Sequence, residues 1–124
     1  MTKVFTDVEK FLNAVGQNPP PFNANPSAQS DLYMKLIEEE YTELMDAEAV
    51  SDDAEICDAC FDLIWVIVGY MRSRGWDCDK IWDHGAGTNL SKIDPETGLV
   101  KRREDGKILK PEGWQPPNFE QFVK

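Results

Sequence analysis

Glu38-Glu39-Glu40-Tyr41-Thr42-Glu43-Leu44, then a break at Ser51-Asp52-Asp53, then Glu55-Ile56-Cys57-Asp58-Ala59-Cys60-Phe61-Asp62: this run sets acids and apolar side chains on the same helical faces. A helix turns about 100° per residue. With Glu40 at zero, Tyr33, Leu36, Ile37, Leu44 and Ala47 fall within about 60° of it, and Glu43 sits near −60°. Glu40 therefore lies in the middle of an apolar face, with Glu43 at its edge and Glu39 just beyond. Glu38 and Asp46 point elsewhere and read as solvated. The next helix repeats the pattern. With Asp58 at zero, Asp62 lies near 40°, Glu55 near 60° and Trp65 near −20°. A short turn between the two helices makes them antiparallel neighbours, so the acidic stripes can face each other.

Burying several unpaired carboxylates costs several kcal/mol each, and the charges repel. No Lys or Arg lies within either stripe, and Lys35 is a turn away. A cation from outside the chain must supply the missing charge. Carboxylate ligands, with one His in the whole chain, favour hard ions such as Mg²⁺ or Mn²⁺ over zinc.

Working outward, Val4, Phe5, Val8, Phe11, Leu12 and Val15 recur every three or four residues, predicting an amphipathic helix over 3–15 that ends near Gly16. Pro19, Pro20, Pro21 and Pro26 predict a loop over 17–29. The second helix is expected from Ser30 or Asp31 to about Val50, with a turn and new cap at Ser51-Asp52-Asp53. The third runs from Ala54 to Arg74 and ends at Gly75. A short fourth piece, Asp77 to His84, is expected to stop at Gly85-Ala86-Gly87. Beyond Asn89 the period is lost. Asp94-Pro95-Glu96-Thr97-Gly98 and Asp105-Gly106 read as turns, Leu99-Val100 and Ile108-Leu109 as short strands or extended arms, and 111–124 as an extended tail around Trp114. The domain reading is one unit over 1–124, a helical body at 1–88 followed by an extended basic arm at 89–124. Three helices and a short fourth close little core alone, so an assembly of copies is expected.

The 124 residues carry 13 basic and 23 acidic side chains, net −10, which argues against a nucleic-acid binder. Residues 1–88 hold 6 basic and 17 acidic residues, and 89–124 hold 7 and 6. An acidic body with a locally basic tail suggests that metal ions and an anion meet at one site. Of three cysteines, Cys57 and Cys60 form a C-x-x-C within a helical run and Cys78 stands downstream. A zinc ribbon needs a second pair, so small buried packing residues are the favoured reading. The odd cysteine count and the lack of a signal-peptide pattern give a reducing cytoplasm as the expected location, the host's if the chain is phage-encoded. The run from Ala59 to Met71 is broken by Asp62 and too short to span a bilayer.

Glu39-Glu40-x-x-Glu43 followed by Glu55-x-x-Asp58 resembles the E-E-x-x-E…E-x-x-D signature of the MazG-like all-α nucleoside triphosphate pyrophosphatases. Asp58-Ala59-Cys60-Phe61-Asp62-Leu63-Ile64-Trp65-Val66 is similar to the branch holding phosphoribosyl-ATP-pyrophosphohydrolase-like and phage MazG-like proteins. So are Asn89-Leu90-Ser91-Lys92 and Asp105-Gly106-Lys107-Ile108-Leu109-Lys110-Pro111. The resemblance covers about residues 30–115. It implies an all-α bundle completed by oligomerisation, as a homodimer or homotetramer, with an irregular C-terminal arm. It implies two or three Mg²⁺ ions per site, with Mn²⁺ able to substitute. Glu39, Glu40, Glu43, Glu55 and Asp58 map onto its metal-binding and catalytic positions, Glu39 as a ligand or as the base that orients water. The implied reaction is hydrolysis of a (deoxy)nucleoside triphosphate to monophosphate and pyrophosphate, by metal-activated water attack on the α-phosphate. Nucleotide-pool adjustment follows as a role, with dGTP one candidate substrate.

Lys92, Lys107 and Lys110 sit in family-like positions and read as phosphate donors. Lys101, Arg102 and Arg103 are further candidates. Asn13, Gln17, Asp62 and Asn89 are candidates for base or sugar. Trp65, Trp82 and Trp114 can stack a base but read better as core or interface. His84 reads as a helix C-terminal residue, not a catalyst. The competing function is a non-catalytic helical interaction module with a structural divalent-metal site. A di-iron bundle is disfavoured, because no Glu-x-x-His pair is present.

Overall fold

A computed structural model describes residues 3–15 and 26–123. The chain is all-α, with no named strand among the described residues: α1 spans Lys3–Ala14, α2 Pro26–Ala49, α3 Asp53–Ser73 and α4 Cys78–Leu90, and a 3₁₀ turn occupies Glu120–Phe122. No described helix is long and apolar enough to cross a membrane. Two compact units divide the chain, residues 1–78 and 79–124, a boundary that falls before the change in composition at 88/89.

The first unit is built on the α2–α3 pair, with α1 packed on α3. Phe5, Val8 and Leu12 of α1 meet Tyr33, Val66, Val68 and Cys78 in one core. Phe5, Val8 and Leu12 are inward positions of the three-and-four spacing, whereas Val4, Phe11 and Val15 of the same spacing are exposed. Gly69 of α3 has a specific reason to be glycine: a Cβ there would lie 2.9 Å from Tyr33 Cζ, so the missing side chain lets the two helices close around the tyrosine. Burial raises the Tyr33 pKa, as expected for a phenol taken out of water.

The α2–α3 turn is short because one residue serves both helices. Ser51, at φ 53, donates its N–H to Glu48 O, and Asp52 N–H reaches Ala47 O. This pair of bonds is a Schellman motif with serine in the left-handed position. Asp52 then caps α3, its Oδ1 accepting the Glu55 N–H at 3.2 Å. The same motif, with Gly75 at φ 77, closes α3 through Gly75 N–H to Arg72 O and Trp76 N–H to Met71 O.

Three expectations are corrected. The loop predicted over 17–29 ends earlier, because α2 opens at Pro26. Proline at the first helical position sacrifices only an N–H that has no partner there anyway. The fourth helix does not stop at Gly85 but continues to Leu90. A Cβ on Gly85 would meet Phe119 Cζ at 3.3 Å, so that glycine accommodates a ring rather than breaking a helix. Cys57 and Cys60 are exposed, not packed. They lie about 200° and 100° around α3 from buried Ala59, on the outward side of the helix.

In the second unit, the last residues fold back along α4. His84 Nε2 accepts the Asn118 N–H at 3.1 Å, and the imidazole lies against the rings of Phe119 and Phe122. Trp114 Nε1 donates to Thr88 O at 3.0 Å. Between them a small antiparallel loop forms around the Arg102–Ile108 bridge, with Leu109 N–H to Lys101 O and Arg103 N–H to Lys107 O, both 2.8 Å. Of the short strands or extended arms expected at 99–100 and 108–109, the described residues show one isolated bridge, at Ile108, and no named strand.

Candidate metal centre

Glu40 and Glu43 of α2 and Asp62 of α3 each offer a carboxylate oxygen within 4.8 Å of the others. The hairpin register brings them together. Glu40 stands eleven residues before Ser51 and Asp62 eleven after it, so the two face each other across antiparallel helices. Ala47 and Ala59 are buried in the same pair, and small side chains there allow close approach.

The electrostatics follow from the crowding. Burial pushes the Glu40 pKa up to about 7, helped by a hydrogen bond with Glu43 and by the charges of Asp62, Glu43 and Asp58. Asp62 is also raised, first by burial and then by the charges of Asp58 and Glu43, while its hydrogen bond with Glu40 works the other way. Glu40 Oε2 is buried and has no hydrogen-bond partner among the described residues. The salt bridges Lys3–Asp7, Arg72–Glu9 and Arg103–Asp105 involve none of these three carboxyls. Three converging carboxylates, one with an unfilled buried lone pair, fit a hard divalent cation.

The other acids stand differently. Glu39, Glu55 and Asp58 are exposed and outside the three-residue group. Asp58 is near enough for its charge to raise both Glu40 and Asp62. Asp62, which the resemblance leaves to base or sugar, is the acid of α3 that joins Glu40 and Glu43. Its place in the acidic stripe is legible in the helical wheel, but its pairing with Glu40 depends on the register of the turn.

The remaining candidates lie as follows. Asn13 is exposed near the end of α1, and Gln17 falls outside the described residues. Asn89 Oδ1 accepts Lys92 Nζ at 3.2 Å. Lys92 and Lys110 hold their ammoniums 4.9 and 5.0 Å from the centre of the Trp114 ring. Lys107 is exposed, its backbone N–H donating to Asp105 Oδ1 at 3.0 Å. Arg103 is paired with Asp105, which holds the Asp105 carboxyl below its usual pKa. Trp65 is half-buried against Phe11 and Phe61, whereas Trp82 is exposed. The indole of Trp114 as a common seat for two lysines has no sequence signal, since nothing in the spacing of 92, 110 and 114 announces it.

The all-α hairpin with its acidic group is consistent with the MazG-like class of all-α nucleotide pyrophosphohydrolases, and the family match places the chain in that class. Residues 5–86 match the family model of phosphoribosyl-ATP pyrophosphohydrolase, well over half of the chain, and the chain belongs to that family. No curated protein matches the chain. Membership implies pyrophosphohydrolase-type enzyme chemistry on a nucleotide, in a family that typically uses a divalent metal.

Proposed function

We propose that the chain hydrolyses a nucleoside triphosphate, ribo or deoxy, to the monophosphate and pyrophosphate, with Mg²⁺ as the working ion and Mn²⁺ able to replace it. The observation that carries this reading is the Glu40–Glu43–Asp62 group, in which Glu40 Oε2 is buried without a donor. These three residues would hold the ion. A divalent ion so held supplies Lewis acidity, which neutralises phosphate charge and makes water more acidic. Protein carboxylates then need only position the reacting groups. Glu39, Glu55 and Asp58 are available as further ligands or to orient the attacking water. Lys92, Lys107 and Lys110 are proposed as donors to the phosphates, where ammonium groups act as point charges. Asn13, Gln17 and Asn89 are the candidates for base and sugar.

A homodimer or homotetramer belongs to the same reading. Met34, Tyr41 and Met45 of α2 and Phe61, Ile64 and Ile67 of α3 are exposed apolar residues, and a second copy would cover such surface. The test is a substrate panel with Mg²⁺: the common nucleoside and deoxynucleoside triphosphates, dGTP among them, together with phosphoribosyl-ATP, the compound in the family's name. Monophosphate and pyrophosphate as products support the proposal. Diphosphate and phosphate would mean attack at a different phosphorus. No turnover of any compound would sink it in favour of a helical interaction module with a structural divalent ion.

A further inference from the structure

We infer that Trp114 is a positioning residue for phosphate: its ring holds the ammoniums of Lys92 and Lys110 close to one another for binding a pyrophosphate group. The inference rests on the phosphate role proposed for those two lysines and assigns to Trp114 the task of setting their place.

Four observations carry it. Lys92 Nζ and Lys110 Nζ stand 4.9 and 5.0 Å from the same ring centre, although they come from opposite sides of a long excursion of the chain. The two charges can be no farther apart than those distances laid end to end. The ring is itself fixed, because its Nε1–H donates to Thr88 O at 3.0 Å and its backbone N–H to Pro111 O at 3.0 Å. Lys92 is held a second time, by Asn89 Oδ1 at 3.2 Å. Finally, neither ammonium takes part in a salt bridge among the described residues, in contrast to Arg103, which is spent on Asp105.

The physical sense is pre-organisation. A lysine side chain is long and loses rotamer freedom when it grips an anion. An aromatic face attracts the ammonium and removes part of that loss beforehand. It also gathers two like charges that would otherwise drift apart, and a polyanion relieves their repulsion. Trp114 also lines an open groove with Asp83, Thr88, Ser91 and Glu112, a lining that includes neither Lys92 nor Lys110, so the anion is assigned to the ammoniums at the ring and not to that groove.

The experiment titrates inorganic pyrophosphate into the full chain in EDTA, so that the acids of α2 and α3 hold no ion. Trp114→Leu is expected to weaken binding about five- to tenfold, and Trp114→Phe, which keeps an aromatic face, less than about threefold. In turnover the same loss raises KM, and kcat falls with it because the positioned lysines also meet the departing pyrophosphate. In the wild-type chain, the ring-shifted ε-methylene signals of Lys92 and Lys110 move as pyrophosphate is added. A folded Trp114→Leu chain that binds pyrophosphate like wild type overturns the inference, as does a wild-type chain that binds none. If Trp114→Leu does not fold, the wild-type signals decide: shifts that stay put at high pyrophosphate overturn it. Trp114-dependent binding in a chain that hydrolyses nothing would support the site while refuting the proposed reaction. Turnover with Trp114-independent binding would do the reverse.

Discussion

The α2–α3 hairpin and the segment after α4 hold charge in opposite ways. In the hairpin, Glu40, Glu43 and Asp62 are fixed by backbone, on two helices locked by a shared turn at Ser51 and Asp52 and by close packing of Gly69 on Tyr33. After α4, Lys92 and Lys110 hang on flexible stems and are held by a side chain, the Trp114 ring. The difference matches what each charge is suited to do. A cation demands ligand oxygens at set distances and therefore a stiff frame. A phosphate accepts an ammonium as a point charge from many directions. The comparison teaches that helix packing governs the acidic group and side-chain contacts govern the basic one, and each can be perturbed separately.

The largest effect is expected from Glu40→Gln, which removes the charge at the centre of the acidic group while keeping its shape. Pyrophosphate release in the presence of Mg²⁺ should fall at least about a hundredfold, with the folding midpoint of the metal-free chain unchanged or raised. Activity within threefold of wild type would break the assignment of the hairpin as the metal centre. Next comes Gly69→Ala. Its Cβ would press on the Tyr33 ring, and overpacking of this kind costs about 1–3 kcal/mol. Denaturant unfolding reads the loss, and Tyr33→Leu, by removing the ring, should relieve part of it.

A smaller effect is a pH dependence confined to the hairpin. The Glu40 pKa is raised to about 7, above that of the unfolded chain. The folded state then holds a proton that the unfolded state has released, so stability is greatest below the unfolded pKa and declines as pH rises through about 7. Allowing for solvent screening, the decline is on the order of 1 kcal/mol. Thermal unfolding across pH 4 to 8 in EDTA should show it, and Glu40→Gln should flatten it. Added Mg²⁺ should offset the decline by binding the ionised form. A stability that climbs over that range would contradict the crowded-carboxylate picture. The smallest effect belongs to the arm. Gly106→Ala meets no atom within 4 Å, but its φ of 88° disfavours a side chain. The expected cost is about 1 kcal/mol, read as faster hydrogen exchange at the Arg103 and Lys107 amides with the hairpin amides unmoved. Exchange that quickens throughout α2 and α3 would show the two regions to be coupled.

Much of this molecule is legible in a helical wheel. The four helices, the turn at Ser51–Asp53, the inward row Phe5, Val8 and Leu12, and the coincidence of acidic with apolar faces all follow from local periodicity and capping. Helical twist depends only on neighbours a few residues away, so the sequence by itself determines these features. Which acids meet is another matter. Glu55, Asp58 and Asp62 share one stripe, and only the register set by the Schellman turn at Ser51 puts Asp62, rather than Glu55 or Asp58, in the group with Glu40 and Glu43. Likewise Gly85 reads as a helix stop until Phe119 is seen against it, and Cys57 and Cys60 read as packed until α3 is seen to turn them outward. Tertiary structure decided these points. The reason is that they depend on contacts between residues far apart in the chain, and no local period encodes which distant side chain will arrive.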